Sequence, residues 1–307
     1  MEFGRVYDSL DDIDFTLPQD SLSTTNFLKT KRREGDLQIF AGASKWGEKT
    51  WKGIIYPKKL TDKEFLNVYS RNFNTVEFGP TFYNLYKPDE ISRWTTQVNG
   101  SPDFRFSPKF PQIITHMRRL VNAEEQTIQF YQSLTGFGNQ LGPLLLQLGE
   151  NFTPKSFPQL RSYLESLPPA IKVHLEVRHE DWFGNPYHRR DLFQLLNDRN
   201  IGTVISDISG RRDCAHMELT TTDAVIRFVG NNLADSDYKR MDDWVERLKD
   251  WTNDGLKSIW FFMHQNDEKF VPAACVYLIN QLNAKLGTSI KTPDIMPLNP
   301  GDSLTLF

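Results

Sequence analysis

Short apolar runs of strand character alternate with longer amphipathic runs from Leu37 onward. The strand-like runs are rich in β-branched and aromatic residues and are separated by turn-forming residues. They lie at 37–42, 74–79, 103–109, 142–148, 171–177, 201–207, 223–230 and 256–264. Helical spacing of apolar residues marks 61–72, 88–98, 122–135, 155–166, 188–199, 239–253 and 269–286. The connection 208–222 lacks a clear helical pattern.

This alternation predicts an α/β fold, an eight-stranded parallel (β/α) barrel of the TIM type. Strands separated by helices pair in parallel through right-handed crossovers. Eight such strands close a barrel, whereas open doubly wound sheets usually have fewer. No glycine-rich dinucleotide or phosphate-binding motif follows the first strand, so the commonest nucleotide-binding folds are disfavoured.

The predicted organisation is an N-terminal arm at 1–36, a barrel at 37–290 and a C-terminal tail at 291–307. The arm combines scattered aspartates, a Ser/Thr stretch and a basic run, and it shows no persistent helical or alternating pattern. We therefore expect it either to wrap the barrel or to be mobile. Because it offers few apolar residues, we also expect its removal to change stability little.

Composition narrows the class of protein. The 307 residues are 39% hydrophobic and 13% aromatic, which is enough for one large core. A net charge of −3 and a pI near 6.1 give no global attraction for nucleic acids or anionic membranes. Cys214 and Cys275 are too isolated to form a disulfide framework. With no apolar run long enough to span a membrane and no secretory signal pattern, we expect a cytoplasmic protein, of undetermined oligomeric state.

Polar side chains recur on one face of the second to eighth predicted strands, near their C-terminal ends. Residues two apart along a strand share a face, and barrel active sites lie at this end. The polar residues in this phase, or just beyond it, are Glu77, Lys109, Gln147, Glu176, Arg178, Asp207, Arg227, His264 and Asn266. They predict a polar ligand pocket. The alternative is an ion-pair network that fills the end of the barrel.

Six sequence blocks follow one another in a recognisable order. They are GASKWGEKTWKGIIYP at 42–57, NTVEFGPTFYNL at 74–85, FRFSPKFPQIITHMRRL at 104–120, LGPLLLQLGENF at 141–152, HLEVRHEDWF at 174–183 and VIRFVG at 225–230. Together they resemble the YecE-like family, also called domain of unknown function 72, over roughly 37–285. The resemblance implies a TIM barrel with no established activity.

The resemblance also implies a set of site residues. The family's motif positions correspond to Glu77, Tyr83, Lys109, His116, Gln147, Glu176, Arg178, His179, Trp182 and Arg227. This chain departs from the family where a histidine usually follows the strand-seven arginine, because Phe228 and Val229 stand there. It also has His264-Gln265-Asn266 where relatives often carry paired asparagines. These departures put in doubt any activity that needs the missing histidine, although His264 can substitute from the next strand.

The candidate catalytic residues are Glu77, Glu176, His179 and His264. A carboxylate beside a guanidinium stays ionised at neutral pH, so Glu176 next to Arg178 suits electrostatic or base roles. His179 and His264 can exchange protons near neutrality. For His179 the alternative is a hydrogen bond with Asp181 that anchors the loop.

The candidate substrate-binding residues include three cations. Lys109, Arg178 and Arg227 match the geometry of a carboxylate or phosphate anion. The rest of the expected binding set is Gln147, Asp207, Tyr83, His116, Trp182 and Asn266. Glu77, Glu176, Asp207 and His264 are of the types that bind divalent metals, but the nearby cations oppose this. We therefore expect no metal or other cofactor.

The expected function is that of an uncharacterised TIM-barrel enzyme acting on a small anionic or phosphorylated substrate, sugar-like compounds included, by acid/base chemistry. Loop aromatics at Trp46, Trp51, Tyr56, Phe82 and Tyr83 either stack on a ligand or form a hydrophobic lid. One alternative is a nucleic-acid-binding or processing barrel similar to endonuclease four, although six histidines are few for its metal-rich site. Another is a non-catalytic ligand-binding protein. The sequence alone does not decide whether the chain is an enzyme.

Overall fold

The computed structural model describes residues 3–33 and 35–296, and eight strands form its centre. They are β1 Gln38–Ala43, β2 Thr75–Phe78, β3 Arg105–Pro108, β4 Leu144–Gln147, β5 Val173–Glu176, β6 Gly202–Asp207, β7 Asp223–Gly230 and β8 Ser258–Gln265. Every predicted strand is confirmed, because each apolar run coincides with one of them.

Helices alternate with the strands. They are α1 Leu22–Lys29, α2 Phe65–Asn72, α3 Pro80–Tyr83, α4 Pro88–Gln97, α5 Glu124–Leu134, α6 Phe157–Ser166, α7 Asp181–Gly184, α8 Pro186–Asp198, α9 Asp235–Asp254 and α10 Val271–Leu286. All seven predicted helices are confirmed, and α1, α3 and α7 are additional short ones. Between β6 and β7 the chain forms only a 3₁₀ turn at Arg212–Cys214, as the pattern predicted. Within the described ranges no helix is long and apolar enough to cross a membrane.

The strands close into a barrel. They pair in parallel in the order β3-β2-β1-β8-β7-β6-β5-β4. The remaining gap is bridged where Gly142 N donates to Phe106 O at 2.7 Å and Phe110 N donates to Leu145 O at 3.0 Å. The TIM-type barrel predicted from the sequence is therefore confirmed.

Two apolar layers make up the core. The larger one lies between the strands and the helices and contains both cysteines, which are free and buried. The smaller one fills the middle of the barrel, where the rings of Phe40 and Trp260 stack 3.9 Å apart. This apolar plug consists of Phe40, Leu145, Val204, Val225, Trp260 and Phe262. It separates inward-facing polar groups at the C-terminal strand ends from others at the N-terminal ends.

The N-terminal arm packs along the outside of the barrel. Phe3, Leu17 and Leu28 are buried, and Asp20 accepts hydrogen bonds from Arg247 at 2.6 Å and Trp251 at 3.0 Å. The expectation that the arm has no helix is wrong, because α1 lies within it, and the few apolar residues that it buries hold it to the barrel. Its apolar side chains are spaced singly and pack against separate surfaces, so they leave no periodic pattern in the sequence.

The arm helix α1 is held at both ends. Ser21 caps its start by accepting from Thr24 N at 3.1 Å. Its end packs against Gly255, where φ is +122° and a Cβ atom would lie 2.8 Å from the Leu28 carbonyl oxygen. Only glycine accommodates both that backbone conformation and that approach. The arm therefore adopts the wrapping alternative over its described residues.

Candidate functional site

Four charged side chains meet inside the barrel beyond the apolar plug, at the C-terminal strand ends. Arg227 Nε lies 2.6 Å from Glu77 Oε1, and Arg227 Nη1 donates to Glu176 Oε2 at 2.7 Å. Arg178 Nε donates to the other oxygen of Glu176 at 2.8 Å. Each of the four is at most 8% exposed. We call Glu77, Glu176, Arg178 and Arg227 the upper network.

Strand alternation places these groups together. Val225 belongs to the plug, so Arg227, two residues later on β7, also points inward. The same alternation carries Leu145 to Gln147 on β4 and Phe262 to His264 on β8. The inward phase predicted for these strands is confirmed.

The electrostatics of the upper network keep both acids ionised. Burial alone would raise the pKa of Glu77, but Arg227, together with His264 and Lys109, outweighs that effect and holds the pKa well below the usual range. For Glu176, Arg178 and Arg227 together overcome burial and lower the pKa to about 2. Neither carboxyl is a proton donor at neutral pH. The ion-pair alternative raised from the sequence thus describes this part of the interior.

Lys109 lies at the rim of the upper network and is bonded differently. It follows β3 directly, is partly buried, and donates from Nζ to Gln147 Oε1 at 3.0 Å. Its ammonium nitrogen also lies 5.0 Å from the ring centre of Phe82. Burial, reinforced by the positive charge of Arg227, lowers the pKa of Lys109 to about 8. This is a cation that titrates near neutral pH and is bonded to a neutral amide.

Two histidines adjoin the network. His264 is buried, with Nε2 lying 3.3 Å from Glu77 Oε2. His116 is partly buried in a π-helical turn at Ile113–Met117, and its Nδ1 lies 2.8 Å from Thr115 Oγ1. Burial, with the charges of Arg178 and Lys109, lowers the pKa of His116. His264 therefore joins the network, whereas His116 is a neutral group at the rim.

Aromatic rings flank His116 at the rim. The Phe82 ring lies 5.2 Å from the imidazole and 5.1 Å from Tyr83, whose side chain is exposed. Trp51 and Tyr56 are instead fully buried, and Trp46 stacks on Phe78 at 5.7 Å. Of the predicted loop aromatics, Phe82 contacts both Lys109 and His116, and Tyr83 packs on Phe82.

Comparison with known proteins places this barrel in a family. Residues 40–297 match the family model described as "Protein of unknown function DUF72". The chain belongs to the DUF72 family. It is 28% identical over 247 residues to the UPF0759 protein YecE from two strains of Escherichia coli, covering 75% of this chain and 87% of that protein. The resemblance drawn from the sequence blocks is confirmed.

Solved structures of the DUF72 family have the same fold. A DUF72 family protein from Enterococcus faecalis aligns with a TM-score of 0.62 and 17% identity, covering 86% of this chain and 100% of that one. A second, from Thermotoga maritima, aligns with a TM-score of 0.57 and 22% identity, covering 82% and 100%. At these identities the likeness concerns the fold and carries no reaction or substrate.

Asp207 does not join the upper network, contrary to the prediction. It accepts hydrogen bonds from Arg240 Nη2 and Trp244 Nε1, both at 2.8 Å, and it pairs with Arg212. These partners lie in α9 and in the loop after β6. The inward phase of β6 carries Ser206 instead, which donates to Glu176 Oε1 at 3.2 Å. The phase assigned to this strand was wrong by one residue.

Three other predicted site residues stabilise loops. Trp182 is fully buried and donates to Phe152 O at 2.7 Å, so it does not line the opening. His179 Nδ1 accepts from Asp181 N at 3.2 Å, which is the loop-anchoring alternative. Asn266 Nδ2 donates to Asn231 Oδ1 at 3.3 Å beyond the end of β8. Each of these side chains makes a local hydrogen bond that cannot be predicted from the alternation of residues along the strands.

The carboxylates and imidazoles do not form a metal centre. Arg227 bridges Glu77 and Glu176, while Asp207 faces α9. Across residues 3–33 and 35–296, no group of three or more His, Cys, Asp or Glu side chains is placed to hold a metal ion. Of the mixed histidine and carboxylate set considered from the sequence, Asp207 lies apart, and Arg227 stands between Glu77 and Glu176.

Besides Ser206, sequence reasoning missed two residues beside the upper network, Phe3 and Glu268. The ring of Phe3 lies 4.4 Å from the guanidinium carbon of Arg178, so the arm reaches the upper network. Glu268 follows β8, and burial raises the pKa of its carboxyl. Its Oε2 has no hydrogen-bond partner among the described residues. A single aromatic in an irregular arm and an acid in a loop carry no periodic signal.

Proposed function

We propose that this protein is an enzyme that binds a small anionic substrate at the C-terminal strand ends, with Lys109 contacting the anion. One observation carries the proposal. Lys109 is a partly buried residue whose ammonium donates to a neutral amide oxygen, whereas Arg227 is enclosed by two carboxylates. An ammonium at the edge of a buried network gains most from an anionic partner supplied by a ligand.

The proton chemistry of the proposal also centres on Lys109. A lysine whose pKa is about 8 exchanges its proton near neutral pH, which suits general acid/base work. His264 is a second candidate for contact with the substrate, because its Nε2 lies 3.3 Å from Glu77 Oε2. Glu77 and Glu176 stay ionised and contribute their charge rather than protons.

The upper network would form a preorganised base beneath the ligand. Its four side chains hold one another through ion pairs at 2.6 to 2.8 Å, so they need little rearrangement when a ligand binds. Phe82 and Tyr83 provide apolar and stacking surface beside the ammonium. Together these features favour a compact anion with a polar or sugar-like body, such as a sugar acid or a sugar phosphate.

Calorimetric binding of gluconate and glucose 6-phosphate tests this proposal. In Lys109→Met we expect the affinity for whichever probe binds the wild-type protein to fall about tenfold or more, because a charge-assisted contact is lost. Lys109→Arg keeps the charge and should retain most of the affinity. Lys155→Met, at an exposed position outside the network, is the matched control. Equal affinities in the wild type and in Lys109→Met would refute the proposed role of Lys109.

A further inference from the structure

A cavity opens at the N-terminal ends of strands β5 to β8, on the other side of the apolar plug. Its volume is about 360 Å³, and ligand pockets commonly measure about 300–1,000 Å³. We call it the lower cavity. Its polar lining includes Lys31, Lys172, His174, Thr222, Asp223 and Lys257. None of these residues belongs to the site described above.

His174 is the unusual group of the lower cavity. Its side chain is 1% exposed, yet neither ring nitrogen has a hydrogen-bond partner among the described residues. The ring is held in place by the backbone of β6, because a Cβ at Gly202 would lie 2.1 Å from His174 Cδ2. Buried polar atoms are nearly always hydrogen-bonded, so these nitrogens call for a partner from within the cavity.

The neighbouring carboxylate is already satisfied. Asp223 accepts from Lys172 Nζ at 3.0 Å and from Ser258 Oγ at 2.5 Å. The Ser258 hydroxyl in turn accepts from Trp260 Nε1 at 2.9 Å, which ties the acid to the apolar plug. Asp223 is therefore an anchored group of the wall and balances Lys172.

The remaining charges of the lower cavity are positive. Lys31 and Lys257 add two ammonium groups at exposed positions of the lining. Burial lowers the pKa of His174 to about 4, so its ring is neutral at physiological pH. A neutral imidazole has one N–H donor and one acceptor nitrogen. The cavity thus combines positive charge with a buried neutral imidazole whose nitrogen can donate to or accept from a ligand.

We propose that the lower cavity binds inorganic phosphate. Phosphate carries negative charge that complements Lys31 and Lys257, and its oxygens accept from the imidazole N–H. A single phosphate can face only one nitrogen of His174, because the two hydrogen-bonding directions of an imidazole diverge. At neutral pH phosphate keeps a P–O–H hydroxyl, so it can bond that nitrogen either as an acceptor or, in the other tautomer, as a donor. Sulfate has similar size and charge but no such hydroxyl, so it can only accept from the N–H tautomer, and the imidazole therefore favours phosphate. This site is independent of the one proposed at the C-terminal strand ends.

Calorimetry of the full-length protein at pH 7.5 and low ionic strength tests the proposal with phosphate and sulfate as probes. We expect the wild type to bind phosphate severalfold more tightly than sulfate, because only phosphate can bond the His174 nitrogen in either tautomer. Lys257→Ala should weaken phosphate binding severalfold, because a cation is lost from the lining. Equal binding of the two anions, or no phosphate binding at millimolar concentration, would overturn the proposal.

Variants separate this site from other sources of binding. His174→Phe should abolish the preference for phosphate, and Lys109→Met and Lys155→Ala should leave it unchanged. If His174→Phe does not fold against Gly202, the wild-type selectivity and Lys257→Ala decide the matter. Phosphate binding that is lost in Lys109→Met but unaffected in Lys257→Ala would assign the anion to the C-terminal strand ends and refute the lower site.

Discussion

The two ends of the barrel interior differ in how far their buried polar groups are paired within the protein. At the C-terminal strand ends, Arg227 pairs with both buried glutamates, and its charge is balanced within the protein. At the N-terminal ends, His174 is as deeply buried but has both ring nitrogens unpartnered among the described residues. Inward polarity alone therefore does not identify a ligand site. The informative groups are those the fold leaves incompletely bonded, namely Lys109 at one end and His174 at the other.

The arm connects the two ends. Phe3 lies against Arg178 of the upper network, while Phe27 and Lys31 line the lower cavity. Between these points Asp20 is bonded to Arg247 on α9. A substitution in the arm should therefore disturb the residues at both ends of the barrel. A substitution inside one end should disturb only that end.

The largest expected effect comes from removing the arm. Deleting residues 1–30 exposes the surfaces that Phe3, Leu17 and Leu28 cover. At about 1.5–3 kcal/mol for each buried side chain, we expect a loss of about 5 kcal/mol or more in the free energy of unfolding. Urea denaturation measures it, and an unchanged midpoint would contradict the packing of the arm.

A matched pair within α1 sharpens this test. Leu28 is fully buried, whereas Leu22 is 82% exposed on the same helix. Leu28→Ala should cost about 2–5 kcal/mol, as large-to-small changes in cores do. Leu22→Ala should stay within about 0.5 kcal/mol of the wild type.

The second-largest expected loss of stability comes from breaking the upper network. Arg227→Ala leaves Glu77 and Glu176 facing each other without the cation between them, and we expect a loss of about 3–5 kcal/mol. From the sequence alone, a solvated rim would tolerate such changes. The 2% exposure of Arg227 now argues against that for this position. Arg190→Ala, at an exposed ion pair, is the control and should be nearly neutral.

Acid should weaken the same network. The folded pKa of Glu176 is about 2, below its ordinary value of 4.5, so ionisation of this group favours the folded state. That contribution is complete above pH 4.5 and is lost as the pH falls toward about 2. A shift of this size corresponds to about 3 kcal/mol, to be measured as unfolding free energy between pH 6 and pH 2.5. Glu176→Gln should flatten the dependence, and an unaltered slope would contradict the assignment.

Much of the fold was predictable because short strand-like runs alternate with segments of helical periodicity, and all eight predicted strands are present. The site was predictable where, near the end of a strand, only one of its two faces carries a polar residue, as β7 does at Arg227. On β6 both faces carry a polar residue near the end of the strand, Ser206 on one and Asp207 on the other. The sequence pattern therefore does not show which of them points into the barrel. The choice depends on Arg240 and Trp244, which contact Asp207 from α9. Such long-range partners cannot be read from local periodicity.

The third stability effect tests the lower end of the barrel. Gly202→Ala introduces a Cβ 2.1 Å from His174 Cδ2, and both groups sit in rigid strands. Overpacking of this kind costs about 1–3 kcal/mol, and it displaces the imidazole. We expect phosphate binding to fall along with stability. Gly47→Ala, where a Cβ would meet nothing within 4 Å, is the control.

The smallest expected effect concerns pH and the Lys109 ammonium. Its pKa in the folded protein is about 8, below the ordinary 10.5, so the charge that attracts an anion is present below pH 8 and disappears above it. The affinity for gluconate, whose own charge is constant over this range, should therefore be level up to about pH 8. Above that it should fall by up to about tenfold per pH unit. Lys109→Arg remains charged and should keep a level profile to higher pH. Phosphate binding in the lower cavity does not involve Lys109, and that variant should leave its profile unchanged. A gluconate affinity that stays constant from pH 7 to pH 10 in the wild type would mean that Lys109 is not the residue that contacts the anion.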